Sequence, residues 1–358
     1  MPKPKRKRAK KSGPIRCGIV GLGRIGWGSH AQNILRHPGF KLAAVCDLEP
    51  SRLAEAKAAA PACATYTRYP EMLKNKDVEF VVVASQTKDH VRRSRMALEA
   101  GKHVLVEKPT ARTPQAIDRL AALARKKRKL FTIHHNYRLN GEALFVKETI
   151  DSRVLGRVFR IRCHKLGFAR RNDWQTLKKY HGGMIGNWGV HLVDMSLQLV
   201  NSRVKTVWGT ANHIINPGDA EDDVKAIVEL ENGVVLDIEL TSACAYSGPS
   251  WVVCGTQGTM WVQNKEAHFK TFDPKKLRRL KAADMHMMPT RKYGLTDGSR
   301  DQIPWKEKTV PAKPQGKYPG YYQRLYASIR QGKPLFVSPE SARVTYDVLA
   351  RIRRGTGF

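Results

Sequence analysis

Arg16-Cys-Gly-Ile-Val-Gly21-Leu-Gly23-Arg24-Ile25-Gly26 decides the fold. An apolar, strand-like run meets glycines spaced G-x-G-x-x-G, and residues 29–37 carry a helical pattern directly afterwards. Glycines at these places permit a tight turn and a close approach of backbone to ligand, so the next helix can hold a pyrophosphate at its N-terminus. Asp47 stands 21 residues beyond Gly26, at the end of a second strand-like run over 41–47. A carboxylate there accepts hydrogen bonds from adenosine ribose hydroxyls and repels a 2′-phosphate. That favours NAD, while Arg24 and Arg52 nearby leave NADP possible. The competing reading, a glycine turn that binds nothing, fits the strand–turn–helix context poorly.

Working outward, residues 14–136 alternate short β-rich runs with helical stretches, which predicts a doubly wound parallel sheet of the Rossmann type. Residues 80–84 (FVVVA) form a continuous apolar run, the pattern of a strand buried on both faces. From 137 to 358 the rhythm changes to strands in succession, with Asn232-Gly233 as a hairpin signal between two of them. This predicts an α+β domain with an open, mostly antiparallel sheet, a helix at 191–200 and two closing helices at 321–331 and from Ser338-Pro339-Glu340 to about 354. Residues 264–316, rich in Lys, Arg and Pro, are expected to be surface loops.

The 358 residues carry 64 Lys+Arg against 31 Asp+Glu, a formal charge of +33, with 41% hydrophobic residues. A wholly disordered chain is excluded by that apolar share, and no window approaches the ~18 uninterrupted apolar residues of a membrane span. Residues 1–13 read as a disordered basic tail with seven basic side chains in its first twelve positions. Without those seven the charge is still +26, so the excess belongs to the folded body as well. Nucleic acid is not the expected partner, because neither interleaved aromatics nor a nucleic-acid fold accompanies the charge. The six cysteines are dispersed without a CxxC, as buried reduced thiols would be, which points to the cytoplasm.

Two further motifs carry chemistry. Glu107-Lys108-Pro109 follows the strand-like run 103–106, and the carboxyl ends of strands in such sheets face the ligand crevice. A Lys there can hydrogen-bond a reacting hydroxyl, with burial lowering its pKa; the plainer reading is a surface Lys in a Pro-stiffened turn. In His181-Gly-Gly-Met-Ile-Gly-Asn187-Trp-Gly-Val-His191-Leu-Val-Asp194, paired glycines lead into a helix that places Asn187, His191 and Asp194 on one face. His191 suits a general base, because imidazole titrates near neutrality. A satisfied core histidine remains open, and a metal site from His181, His191 and Asp194 is disfavoured for lack of ligand spacing.

These motifs, with Ser85–His90 before a helix, Asn136-Tyr-Arg138, Cys254-Gly-Thr-Gln-Gly-Thr259 and the closing segment through Ser338-Pro-Glu, resemble the glucose–fructose oxidoreductase / inositol dehydrogenase (Gfo/Idh/MocA) family. The resemblance runs from about residue 14 to the C-terminus. It implies an NAD(P)-dependent oxidoreductase acting on a sugar, a cyclitol or a derivative, with homo-oligomerisation (dimer or tetramer) through the second sheet. It also implies an active-site Lys108 followed by an often cis peptide bond, His191 as acid/base and Asn187 beside them. Cofactor contacts are expected from Gly21, Gly23, Arg24, Ile25, Gly26, Asp47, Ser85, His90, Glu107, Lys108 and Asn136. Substrate contacts are expected from Lys108, Arg138, Trp174, Asn187 and His191. Many dehydrogenases of the family carry Asp at the position of Asn187, and an amide cannot take a proton. The same cofactor could therefore also serve a glycosidase or lyase through transient oxidation, or a non-enzymatic regulator could retain the nucleotide fold.

Overall fold

The computed structural model describes residues 13–279 and 303–358; the tail, but for Gly13, lies outside the described residues. At its centre β4 (Phe80–Val83) is fully buried along its whole length. Around it run β1 (Ile15–Val20), β2 (Phe40–Cys46), β3 (Ala64–Tyr66), β5 (His103–Val106) and β6 (Phe131–Ile133), all parallel, in the order β3-β2-β1-β4-β5-β6. The winding direction reverses between β1 and β4, and ligands of such sheets bind outside the carboxyl ends at that reversal. Gly21, Glu107 and His134 directly follow β1, β5 and β6, and Ser85 lies two residues past β4, on that side.

The helix after β1 starts at Gly26, earlier than its sequence pattern suggests. It opens with a π-helical turn, Gly26–Ala31, and continues as α1 (Gln32–Arg36). The short β3 is not legible in the sequence, because three residues are too few to establish a period.

The second sheet has eight strands: β7 (Val158–Leu166), β8 (Val204–Asn212), β9 (Asp223–Leu230), β10 (Val235–Thr241), β11 (Trp251–Gly255), β12 (Gly258–Gln263), β13 (Glu266–Thr271) and β14 (Lys306–Pro311). Their order is β14-β13-β12-β11-β7-β10-β9-β8, antiparallel except where β10 lies parallel to β7. The loop expectation for 264–316 is corrected by β13 and β14; its part from 280 to 302 lies outside the described residues. β13 alternates buried Ala267 and Phe269 with solvent-facing Glu266 and Lys270, a pattern hidden by the Lys-rich composition around it. β14 is a mostly exposed edge strand whose lysines deter further pairing.

After α2 (Pro50–Ala59), α3 (Tyr69–Lys74), α4 (His90–Glu99), α5 (Pro114–Lys127) and α6 (Gly141–Asp151), helix α7 (Val190–Leu199) shares the larger core with the C-terminal helix α9 (Pro339–Arg353), which is capped at Ser338, whose Oγ accepts the Ser341 N–H. Helix α8 (Tyr321–Gln331) packs Tyr322 and Leu325 onto the other face of the first sheet. No helix among the described residues is long and apolar enough to cross a membrane. Cys17, Cys46, Cys63 and Cys163 are buried free thiols.

One ion pair fastens these parts together. Asp194 in α7 accepts from Arg138 Nε and Nη2, both at 2.8 Å, and from Thr345 Oγ1 of α9 at 2.9 Å. Burial alone would raise the Asp194 carboxyl, but His135 and Arg138 hold it below its ordinary value. Asp194→Ala leaves a guanidinium buried without its counter-charge, at a cost of about 3–5 kcal/mol. A urea titration should show the lowered midpoint at an unchanged slope.

Candidate active site

The glycine loop shapes the first of two cavities. Gly21 has φ +92°, and a side chain there would meet the Ala84 carbonyl oxygen at 2.7 Å. At Gly26 a Cβ would lie 1.8 Å from the Gly21 carbonyl oxygen, so loop and helix can close up only without one. Gly23 has open space where its side chain would be. The resulting cavity, about 810 Å³, runs from this loop past Asp47, Ser85 and His90 to Lys108. Asp47 Oδ2 accepts the Leu22 N–H at 2.6 Å and Oδ1 that of Glu49 at 3.0 Å, so the carboxylate braces the glycine loop while bordering the cavity. Arg52 Nη1 approaches the same carboxylate at 3.4 Å.

Buried His90 places its ring nitrogens 2.9 Å from the carbonyl oxygens of Ser85 and Pro109, tying the loop after β4 to the one after β5. Its role is to fix that wall. Ser85 Oγ is buried without a hydrogen-bond partner, an arrangement that calls for a ligand atom. The side-chain-free cradle and this orphaned hydroxyl fit a dinucleotide.

The second cavity, about 550 Å³, adjoins the first; Arg24, Ile25, Glu107 and Lys108 border both. Lys108, which precedes a cis bond to Pro109, donates from Nζ to the Asn187 carbonyl oxygen at 3.0 Å, with Oδ1 of the same residue at 3.5 Å. Burial lowers the Lys108 pKa and Arg171 acts in the same direction, while Glu107 opposes them. His191 stacks on Tyr137 at a ring separation of 4.1 Å. Burial, then Lys108 and His135, hold its pKa well below the ordinary value. Among the described residues no protein group hydrogen-bonds its ring, so a neutral imidazole at the cavity wall is free to accept a proton.

Asn187 and His191 therefore share a cavity, but Asp194 does not join them. Residues Ile185–Gly189 form a π-helical turn, whose wider winding shifts Asn187 relative to the helix that follows, and in that helix Asp194 is turned into the core toward Arg138. Arg138 is accordingly drawn away from the expected substrate contact. Trp174 borders the first cavity rather than the second, edge-on to Tyr180, whereas Asn136 borders the second rather than the first.

A buried hydrogen-bond chain behind Lys108 escaped the sequence reading. Glu107 Oε1 lies 2.9 Å from His30 Nε2 and 2.6 Å from His134 Nδ1, Oε2 accepts the Lys108 N–H at 3.1 Å, and His30 Nδ1 lies 2.7 Å from the Tyr322 hydroxyl. Burial would raise the Glu107 carboxyl, but His134 and His30 hold it well below its ordinary range. His30, Glu107 and His134 are the one trio among the described residues with metal-ligand spacing, although each is already hydrogen-bonded. His134 could have been found from its place directly after β6; Tyr322 offers no comparable signal.

Residues 15–135 match the model of an oxidoreductase family with an NAD-binding Rossmann fold, GFO_IDH_MocA, and residues 144–261 match a GFO/IDH/MocA C-terminal domain. The chain is 28% identical to D-glucoside 3-dehydrogenase of Escherichia coli strain K12, over 66% of this chain and 73% of that protein. It is 29% identical to inositol 2-dehydrogenase 2 of Saccharopolyspora erythraea, over 65% and 67% respectively. The crystal structure of an NAD-binding protein from Listeria innocua shares the fold, with a TM-score of 0.82 at 23% identity, covering 97% of this chain and 98% of that one.

Gly26→Ala should weaken NAD binding by about tenfold or more in calorimetry, since a methyl group must displace the Gly21 carbonyl. An unchanged far-UV circular dichroism spectrum would show that the fold survives.

Proposed function

The chain belongs to the Gfo/Idh/MocA oxidoreductase family, and from that premise we propose that it moves hydride between a nicotinamide and a carbinol or keto carbon of a sugar, cyclitol or derivative. The observation that carries this reading is the placing of Lys108, Asn187 and His191 in one cavity that opens into the glycine-loop cleft. Two relatives, a glucoside dehydrogenase and an inositol dehydrogenase, support a polyol as substrate. The reactant in the oxidation direction is a secondary alcohol, and the products are a ketone, a proton and reduced nicotinamide.

When bound, the nicotinamide supplies the two-electron acceptor or donor. Lys108 donates a hydrogen bond from Nζ to the reacting oxygen, its ammonium held at the cavity wall by Asn187. His191, neutral because burial disfavours its charged form, takes the hydroxyl proton as the C–H pair departs, and returns it in the reverse direction. Asn187 orients both and takes no proton. Asp47 meets the adenosine ribose, and Trp174 belongs with the cofactor cleft. The outward face of the second sheet, where Trp208 is 58% exposed on β8, supports association into a dimer or tetramer.

His191→Ala and Lys108→Met should each lower kcat about 10²–10⁴-fold, with NAD affinity retained in equilibrium titrations. The pH profile follows from the sign of the His191 shift. A base whose pKa is depressed stays unprotonated on acidification past the ordinary imidazole value, so kcat/KM for oxidation should stay level below about pH 6.5 and fall only further down. Steady-state rates across that range check it.

A further inference from the structure

Resting on the oxidoreductase reading of this cavity, we infer that its substrate carries an oxyanion, a carboxylate or a phosphoryl group on a sugar-sized polyol, bound by Arg170 and Arg171. Lys108, Arg24, Arg170 and Arg171 border the second cavity, against the carboxylates of Glu107 and Asp173. Glu107 is engaged by His30 and His134. Asp173 is divided between Arg171 Nη2 at 2.6 Å and Arg24 Nη2 at 3.3 Å. Arg170 has no ion pair or side-chain hydrogen bond among the described residues, and the Nε and Nη1 of Arg171 are likewise uncommitted there. The cavity thus holds guanidinium donors in excess of its own acceptors. A neutral polyol would leave them without a charged partner, whereas an oxyanion accepts the forked donors in pairs.

These arginines are not explained by the cofactor. Arg24 sits on the glycine loop and borders both cavities, but Arg170 and Arg171 border only the second. Their loop is also held in place: the Arg171 N–H donates to Asn216 Oδ1 at 2.6 Å, the Asn216 N–H to Asp222 Oδ2 at 2.7 Å, and Asp173 Oδ1 accepts the Gln175 N–H at 3.0 Å. With the loop and the Arg171 guanidinium held before binding, less conformational freedom is lost there when the anion arrives. The ammonium of Lys165, 4.1 Å over the ring of Trp188 at the cavity wall, adds to the positive field.

Calorimetry on the NADH-saturated full chain tests this with D-glucuronate, glucose 6-phosphate and D-glucose as probes. The expected result is that one or both anions bind about tenfold or more tightly than glucose, and the tighter of the two identifies the group as carboxylate or phosphoryl. Arg170→Gln, at a side chain with no described partner to disturb, should remove much of that preference, and Arg170→Gln/Arg171→Gln all of it, with NADH affinity as the control for folding. Equal affinity for all three probes, no binding of either anion, or a preference that survives the double substitution would overturn the inference. Selective anion binding with no NADH formed when NAD+ replaces NADH and the same probes are supplied would uphold the anion site and count against the oxidoreductase reading. Oxidation of neutral sugars with no anion preference would do the reverse.

Discussion

A carboxylate removed from water stays ionised only if hydrogen bonds replace its hydration, and the rest of the site depends on how Glu107 meets that condition. His30 from the glycine-loop helix and His134 from the end of β6 converge on one oxygen, and the Lys108 N–H meets the other. Burial lowers the His30 pKa, so the ring is neutral; it donates through Nε2 and is left to accept the Tyr322 hydroxyl at Nδ1. One buried anion therefore joins the helix after β1, the ends of β5 and β6, and helix α8. Lys108 follows it directly in the chain, so the position of the ammonium is inherited from that junction.

A second buried anion, Asp194, performs the corresponding task for α7. It holds Arg138 and Thr345, which fixes the helix whose preceding turns present Asn187 and His191. Between the two anchors lie groups whose charged forms are disfavoured. Lys108 and His191 are both buried, and the Lys108 ammonium further disfavours a charge on His191, so the imidazole rests as a base. Charge is thus concentrated where it holds the scaffold, and neutrality is kept where a proton has to move.

Much of this was legible in the sequence. The glycine spacing, Asp47 and the FVVVA run specify the first sheet because each meets a local demand, for a tight turn, for a strand end and for burial on both faces. Lys108 and His191 were legible from their positions after a strand and in a glycine-led helix. What stayed hidden depends on distances that no spacing encodes. The π-helical turn at Ile185–Gly189 alters the winding between Asn187 and the helix that follows, and Asp194 of that helix meets Arg138, a partner 56 positions away. Tyr322 reaches His30 across 292 positions. β13 was obscured by its lysines, and Trp174, expected among the substrate contacts, borders the first cavity because of how the loop after β7 runs.

The overall excess of basic residues acquires a local meaning in Arg170 and Arg171, which border the cavity where Lys108 and His191 meet. The central claim is that hydride crosses between a nicotinamide in the glycine-loop cleft and a carbon held by Lys108 and His191. The most direct measurement supplies the protein with NADH deuterated at the transferable C4 position and a panel of keto sugars and keto sugar acids, and locates the label by mass spectrometry. The account predicts deuterium on the newly formed carbinol carbon of at least one product. Label that remains in the cofactor throughout, with the cofactor and a keto compound both demonstrably bound, would contradict it.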